Sequence, residues 1–471
     1  MKKRTLVILY VLFDLISAAL SWTIFYIYRK VQVEPDVFGY EIPIEIGTRF
    51  YLGIVLIPLF WLSLYYLSGA YHDVLHKSKL RALGQTLFIV LGGVVVLFFA
   101  LILDDVIVSY KDYYASFLIL AGLQFILTYI PRLVLTSIIS NQIRRDRIQF
   151  NTLMIGSNGR AMEIYKEFEE RNNDTGNRIV GFLNGNSQGE YELEGKLKHL
   201  GSVSDIKQVV EDHRIEEVII ALDTNEHKAV GDIINTLSGS RVIIKASPDI
   251  NDILTGKVRV RSIFGLPLIE ITHALMPVWQ ENLKRLLDVL FSLLAIIVLF
   301  PLILVLMIGV KLSSRGPVVL RQERIGRYGK PFTLYKFRSM VADAEKNGPE
   351  LARKDDERIT NFGKFMRQRK LDEIPNFINV LKGEMSLVGP RPERQFFIDQ
   401  IVEKAPHYVH LHKVKPGITS WGQVKYGYAG TVDEMLKRLK YDLLYIENMS
   451  LFVDLQIMIY TLLAIFRKEN I

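Results

Sequence analysis

The chain has 471 residues, a formal charge of +8 and no cysteine, which excludes a disulfide framework, a thiol nucleophile and a thiolate zinc site. Its mean hydropathy is positive, which argues for membrane segments, and its length suits about two to four domains. The charge is uneven: Glu281–Ile471 holds 30 Lys+Arg against 21 Asp+Glu, a net of +9, which leaves −1 for the preceding 280 residues. The basic C-terminal part is therefore the one suited to phosphates, anionic lipid or nucleic acid.

Four apolar runs open the chain, roughly Thr5–Tyr28, Phe50–Tyr71, Leu83–Leu103 and Tyr113–Ile139. Each approaches or exceeds the ~20 residues that span a bilayer as helix. Lys2, Lys3 and Arg4 precede the first, Lys77, Lys79 and Arg81 lie between the second and third, and Arg144, Arg145 and Arg147 follow the fourth. The intervening loops carry Glu34, Asp36, Glu41, Glu45, Asp104 and Asp105. Positive ends on alternate sides put the N-terminus and everything after Arg144 in the cytoplasm. Asp14 falls inside the first run, where a carboxylate needs a partner that the sequence does not name.

From Phe150 to about Met276 the pattern changes to strands alternating with helical stretches, the signature of a parallel sheet. "FNTLMIGSNGRAMEIYKEF" reads as strand, turn and helix, and Arg214–Asp223 and Arg241–Asp249 read as further buried strands. A dinucleotide fingerprint here requires glycine at 156, 158 and 161. The chain has Asn158 and Ala161, so a plain strand–helix turn is the expectation, with a regulatory nucleotide as the alternative.

"NLKRLLDVLFSLLAIIVLFPLILVLMIGVKLSSRG" follows, with Lys284 and Arg285 before its apolar core and Lys311 and Arg315 after it. Basic residues at both ends favour two cytoplasmic flanks, and Pro301 near the middle favours a bend. The readings are a hairpin that enters and leaves on one side, or a fifth spanning helix with a tolerated proline. In "FTLYKFRSM" the strand period puts Lys336 and Arg338 on one face, as a pyrophosphate clamp or as a protective basic edge.

"LDEIPNFINVLKGEMSLVGPRPE" carries Asp372 and Glu373, with Arg367 just before and Arg391 just after. The pair reads either as the cap and first-turn acid of a helix or as two carboxylates with different tasks, one a nucleophile and one a metal ligand. "KPGITSWGQVKYGY" adds glycines, Trp421 and Lys425, so the region reads as an anion site with a surface for base stacking. Ser450–Phe466 is apolar but short, and is either an interfacial helix or part of a domain core.

The runs "KFRSM", "FGKFMRQRKLDEIPNFINVLKGEMSLVGPRP", "KPGITSWGQV" and "YDLLYIENMSLFVDLQIM" resemble the bacterial sugar transferase domain of polyprenyl-phosphate glycosylphosphotransferases. The preceding residues are similar, more weakly, to that family's large subfamily. The resemblance implies a membrane α plus α/β architecture: a four-helix transmembrane domain (1–145), a Rossmann-like middle domain (146–276), and a mixed α/β monotopic catalytic domain (277–471). It implies a re-entrant helix near 282–312 bent at Pro301, although the family's serine before the proline is Phe300 here. It implies transfer of a sugar-1-phosphate from a UDP-sugar, glucose or galactose foremost, to undecaprenyl phosphate with release of UMP. Asp372 matches the family nucleophile and Glu373 the partner of Mg²⁺. Lys336, Arg338, Arg367 and Arg391 match its phosphate shell, with Pro390 and Pro392 framing Arg391. The further expectations are a bacterial inner membrane protein with its catalytic domain facing the cytoplasm, in contact with membrane lipid, open to self-association and not bound to nucleic acid. The competing functions are a membrane-anchored nucleotide sensor and a glycosyltransferase that releases UDP.

Overall fold

A computed structural model describes residues 3–35, 40, 47–102, 110–170, 176–184, 192–222, 227–237, 240, 242–247, 268–270, 275–341, 344, 348, 350–351, 356–427 and 429–467. The loop acids Asp36, Glu41, Glu45, Asp104 and Asp105 lie outside these. The chain divides into two compact units, residues 1–149 with 171–176, and residues 150–170 with 177–471.

The first unit contains four long helices, α1 (Lys3–Tyr28), α2 (Thr48–Leu67), α3 (Lys79–Leu97) and α4 (Tyr110–Arg144), all long and apolar enough to cross a membrane. α1 packs on α2 and α4, and α4 packs on α3. Trp61, Tyr65, Phe25 and Val94 fill the interior. Gly53 and Gly93 admit the Trp22 and Trp61 rings where a Cβ would collide with them, the small-residue device of helix packing in lipid. Leu52, Leu56, Phe88 and Leu118 project outward and are exposed. In water such a surface would aggregate, whereas in hydrocarbon it is solvated.

Asp14 has its partner in this unit. Arg132 of α4 donates Nε to Asp14 Oδ1 at 3.0 Å and Nη2 to Oδ2 at 2.6 Å. Tyr71 Oη donates to the same Oδ2 at 2.9 Å, Arg132 Nη1 donates to Thr86 Oγ1 at 3.1 Å, and the guanidinium lies 4.2 Å from the Tyr65 ring centroid. Both charged residues are almost wholly buried. The pair thus ties together α1, α3, α4 and the residues around the end of α2.

The second unit holds two cores. In the middle part, β1 (Phe150–Ile155), β2 (Asn177–Asn184), β3 (His199–Ser202), β4 (Glu217–Ile220), β5 (Ile243–Ala246) and β6 (Ile269–Glu270) form one sheet in the order β3-β2-β1-β4-β5-β6. Strands β1 to β5 run parallel and β6 antiparallel. Helices α5 (Gly159–Glu170), α6 (Ile206–Asp212) and α7 (His227–Leu237) connect them. The fully buried β4 accounts for the unbroken apolar run at this point of the sequence.

The C-terminal part begins with α8 (Val278–Ser313), one continuous helix through Pro301. Near its start, Lys284 Nζ donates to Val388 O (3.0 Å) and Asp454 Oδ2 (2.5 Å), and Arg285 to Val380 O and Leu381 O (2.6 and 3.0 Å). Asp288 Oδ1 accepts from Leu387 N at 3.1 Å. Near its other end, Leu306 and Val310 join a core with Phe337, Met366 and Ile374, and Gly309 leaves room for the Phe362 ring. The same domain therefore holds both flanks of α8. Between them Leu294, Ile297, Val298 and Phe300 are exposed.

The rest comprises the hairpin β7 (Val319–Ile325) and β8 (Pro331–Phe337), α9 (Asn361–Gln368), α10 (Asn376–Lys382), β9 (Ser386–Val388), α11 (Gln395–Lys404), β10 (Gly417–Thr419), α12 (Trp421–Tyr426), α13 (Val432–Glu447) and α14 (Leu451–Arg467). β9 pairs in parallel with β10. α14 buries Ile457 in the core and exposes Phe452, Leu455, Ile459, Tyr460 and Leu462.

Replacing Arg132 with Leu strands a buried carboxylate, which costs about 3–5 kcal/mol where such pairs have been broken, whereas removing both charges is far milder. The expected result is a large fall in the thermal midpoint of detergent-purified Arg132→Leu, largely recovered in Asp14→Leu/Arg132→Leu. Equal midpoints for the single and double variants would contradict it.

Candidate active site

Four segments from separate parts of the C-terminal chain converge. β8 carries Lys336, the last turn of α9 carries Arg367, a 3₁₀ turn at Leu371–Glu373 carries the carboxylates, and the loop after β9 carries Arg391. Lys370 stands between α9 and the turn with φ of 56°, a left-handed conformation uncommon for a side-chain-bearing residue and typical of functional loops. It redirects the chain so that Asp372 and Glu373 are both buried. Asn379 fixes the other side of the turn. Its Oδ1 accepts from Tyr335 N at 3.1 Å, and its Nδ2 donates to Thr333 O and Glu384 Oε2 at 2.6 and 2.7 Å, pinning α10 to β8.

Asp372 does not cap a helix. α10 begins at Asn376 with Pro375 in the capping position and no side-chain cap bond, so the structural alternative for this aspartate is not the one the fold uses. Glu373 Oε1 accepts from Lys336 Nζ and Arg391 Nη2, each at 2.9 Å. Burial pushes the Glu373 carboxyl upward, but Arg391, Lys336 and Lys370 together outweigh it and hold the group well below the usual carboxylate range. Its neighbour goes the other way. Burial and then the Glu373 charge push Asp372 up, against the opposing pull of Lys336, Arg367 and Lys370. Adjacent carboxylates are thus separated in character, as they must be to take different roles. Burial lowers the Lys336 ammonium despite Glu373 beside it.

The Arg391 loop is braced from below. Glu393 Oε1 accepts from Arg438 Nη2 at 2.7 Å, and its Oε2 accepts from Arg324 Nη1 at 3.1 Å. Arg324 Nη1 also donates to Pro392 O (3.0 Å), and Gly417 N donates to Pro390 O (2.9 Å). A Cβ on Gly417 or Gly389 would strike the other segment's backbone, which explains a glycine in each of the two motifs. The prolines therefore shape the loop through their carbonyls.

Of the residues expected from sequence, the structure gathers Asp372, Glu373, Lys336, Arg367 and Arg391. Arg367 Nε donates to Ser339 Oγ at 2.8 Å while its charge acts on Asp372. Arg338 is placed elsewhere. β8 ends at Phe337, so the strand period no longer governs the next side chain, and Arg338 Nε and Nη2 donate to Ser314 Oγ and O at 3.1 and 2.7 Å at the end of α8. Trp421 is half-buried and packs against the C-terminal core. Arg324 and Glu393 carry no sequence signal of their own: they lie 69 positions apart, and no local pattern links them.

Mg²⁺ takes one or two carboxylates and completes its shell with water and substrate phosphates. Asp372 and Glu373 fit that requirement, and Glu373 is the one whose neighbours favour the ionised form. Among the described residues no group of three or more His, Asp or Glu is arranged to hold a metal without a substrate.

The first turn of the middle sheet is filled by the protein's own groups. Asn158 Oδ1 caps α5 by accepting from Ala161 N at 2.9 Å, and Ser157 Oγ accepts from Leu193 N at 3.2 Å. The Glu192 carboxylate would lie 3.7–3.8 Å from a Cβ at Gly159, where a diphosphate would otherwise approach the helix terminus.

A bacterial sugar transferase model matches residues 279–468, and a CoA-binding domain model matches residues 67–248. A UDP-glucose:undecaprenyl-phosphate glucose-1-phosphate transferase of Xanthomonas campestris pv. campestris is 33% identical over 344 residues, covering 70% of this chain and 69% of that protein. The enzyme of the same name from Klebsiella pneumoniae is 34% identical over 298 residues, 63% of each chain. A UDP-N-acetylgalactosamine-undecaprenyl-phosphate N-acetylgalactosaminephosphotransferase of Aeromonas hydrophila is 39% identical over 216 residues, 46% of this chain and 50% of that one. The matches span from half to about two thirds of these relatives' lengths. With the buried carboxylate pair, its basic shell and these likenesses taken together, the chain belongs to the polyprenyl-phosphate glycosylphosphotransferases, the bacterial sugar transferase family of phosphotransferases.

Proposed function

We propose that this protein transfers a sugar-1-phosphate from a UDP-sugar to undecaprenyl phosphate, releasing UMP, at the cytoplasmic face of the bacterial inner membrane. The observation that carries the reading is the buried Asp372–Glu373 pair enclosed by Lys336, Arg367, Lys370 and Arg391. A site that concentrates cations around two carboxylates suits a reaction between two phosphate-bearing substrates. The names of the relatives supply the substrate class, and glucose, galactose and N-acetylgalactosamine remain alternatives for the sugar.

The mechanism follows from the split between the carboxylates. Asp372 attacks the phosphorus that bears the sugar, and the bond from that phosphorus to the bridging oxygen breaks with release of UMP. The sugar phosphate is then bound to Asp372 as a mixed anhydride. An oxygen of the lipid phosphate attacks the same phosphorus, the bond to Asp372 breaks, and the carboxylate returns. Glu373 stays ionised throughout and orients Lys336 and Arg391 toward the phosphates. Mg²⁺, held by Glu373 and the substrate oxygens, would neutralise charge that otherwise repels the attacking carboxylate. A covalent route divides one difficult transfer into two easier ones.

The site's membrane setting comes from α8. From residue 284 to 310 a straight helix rises about 39 Å, more than the ~30 Å of bilayer hydrocarbon. A crossing helix would place its flanks in opposite aqueous phases, yet one domain grips both. We therefore read α8 as entering and leaving on one side, with its exposed apolar middle and the outer face of α14 in lipid. The middle domain, with its first turn filled by Asn158, Ser157 and the Glu192–Leu193 segment, is read as a scaffold rather than a nucleotide sensor.

Three measurements test these points. Wild-type protein given UDP-sugar without lipid acceptor is expected to release a stoichiometric burst of UMP and to carry label on Asp372. Asp372→Asn is expected to do neither, and a labelled variant would sink the covalent step; UDP in place of UMP would indicate a glycosyltransferase.

The rate should fall as pH drops through the Asp372 value, which lies above the ordinary ~3.9 of an aspartate. The Glu373 carboxyl, depressed in the fold, contributes stability that is complete above its unfolded value and is lost as pH falls through the lower folded one. Arg391→Met removes a cation that pulls Glu373 down, so its acid-linked loss of stability should be smaller than in wild type and complete at a higher pH.

Cysteines placed at Lys284 and Arg315 should both resist a membrane-impermeant thiol reagent in intact cells. Labelling at 315 alone would make α8 a spanning helix.

A further inference from the structure

Two asparagines occupy successive turns of one face of α10, and their environments are opposite. Asn379 satisfies both ends of its amide with backbone and side-chain partners. Asn376 is only 3% exposed, yet its Oδ1 is buried with no hydrogen-bond partner. A buried amide left unbonded costs free energy in the unliganded protein, and such orphans are rare enough to need a cause. Asn376 lines a small cavity with Arg324, Lys336, Arg391, Pro392 and Gly417. The charged side chains of this wall are all hydrogen-bond donors, suited to phosphate. The amide alone among these side chains presents both an acceptor and a donor, and such an edge complements a hydroxyl or an acetamido group rather than a phosphate oxygen.

Position narrows the choice further. Asn376 follows Glu373 by three residues and Asp372 by four, across the short turn from the 3₁₀ segment into α10, and it shares its cavity with Lys336 and Arg391, the two cations bonded to Glu373. In the transfer described above, Asp372 bonds to the phosphorus that carries the sugar. A group one turn away meets a substituent of that sugar, whereas the uracil lies beyond a second phosphate and a ribose.

We propose that Asn376 is a specificity-determining residue whose amide hydrogen-bonds a hydroxyl of the transferred sugar, the one of the two groups small enough for this cavity. The inference rests on the sugar-phosphate transfer proposed above. The amide is unbonded without substrate, so its interaction is held in reserve for binding, and only substrates with a polar substituent in the right place recover it. The cavity has room for little more than a water molecule, so it takes one substituent and not the ring.

The test compares UMP release by wild type, Asn376→Leu and Asn376→Ala. Each is given UDP-glucose, UDP-galactose and their N-acetylamino counterparts, then the singly deoxygenated analogues of the best donor. Thermal midpoints are measured in parallel. Wild type should lose roughly 10- to 100-fold in kcat/KM with one deoxy analogue, the worth of one or two buried hydrogen bonds. Both variants should lose that difference, acting on the parent sugar and its analogue alike. Their midpoints should equal or exceed that of wild type, because no bond inside the protein is lost. The Ala variant guards against overfilling the cavity with Leu. A lowered midpoint with equal slowing on every sugar would mean that the amide is a structural group satisfied by a buried water, and would overturn the proposal. So would a wild type indifferent to every deoxy analogue while still releasing UMP. Absence of UMP from any wild-type reaction would instead refute the transferase reading and this inference with it.

Discussion

The Glu373 carboxylate cannot stay ionised inside the protein without cations beside it, because isolated buried charge is prohibitively costly. Lys336 and Arg391 meet that demand at the same carboxylate oxygen, one from a strand and one from a loop. To bring them there the fold must dock β8 against α10, close the Gly389–Gly417 contact and brace Glu393 between Arg324 and Arg438. Once Glu373 is fixed, Asp372 has little freedom. It is the adjacent residue in a tight turn, buried, and pushed toward a higher proton affinity by the carboxylate next to it. One charge-pairing requirement therefore sets the positions and the differing characters of both acids.

α8 gives this arrangement its foundation. Its first turns supply Lys284, Arg285 and Asp288 to the strands and helix behind the site, and its last turns supply Leu306 and Val310 to the core beneath Phe337 and Ile374. Ile374 immediately follows Glu373, so the apolar helix is coupled to the carboxylate turn through side-chain packing. The candidate site is thus built on a helix with a long exposed apolar face, which is the feature the proposed lipid-linked acceptor requires.

Buried polar groups in this protein fall into two kinds. Asp14–Arg132 in the helical unit and Arg324–Glu393–Arg438 in the C-terminal part are paired by several bonds each. Such groups fix geometry, since breaking one leaves the others unpaired. Asn376 is of the second kind, buried but unbonded beside the cations. Other buried atoms among the described residues, Ser292 Oγ, Ser386 Oγ and Arg438 Nε included, are likewise unbonded; what sets Asn376 apart from them is that it lines the small cavity beside Lys336 and Arg391.

The sequence by itself determined the elements whose signal is local. Four long apolar runs, the alternation of strands and helices after Phe150, the hairpin around Gly326–Gly329 and the contiguous Asp372–Glu373 all appear where hydrophobic period and turn residues put them. It also carried most of the site, because Arg367, the acids and Arg391 lie within one short stretch. The tertiary structure alone decided three matters. It gave Asp14 its partner 118 positions away. It took Arg338 from the phosphate shell and set it at the end of α8, because β8 stops one residue too soon for the strand alternation to apply. It left Asn376 unbonded while satisfying Asn379. Each of these depends on which side chains meet across long loops, and local periodicity fixes the face a residue occupies without fixing what that face meets.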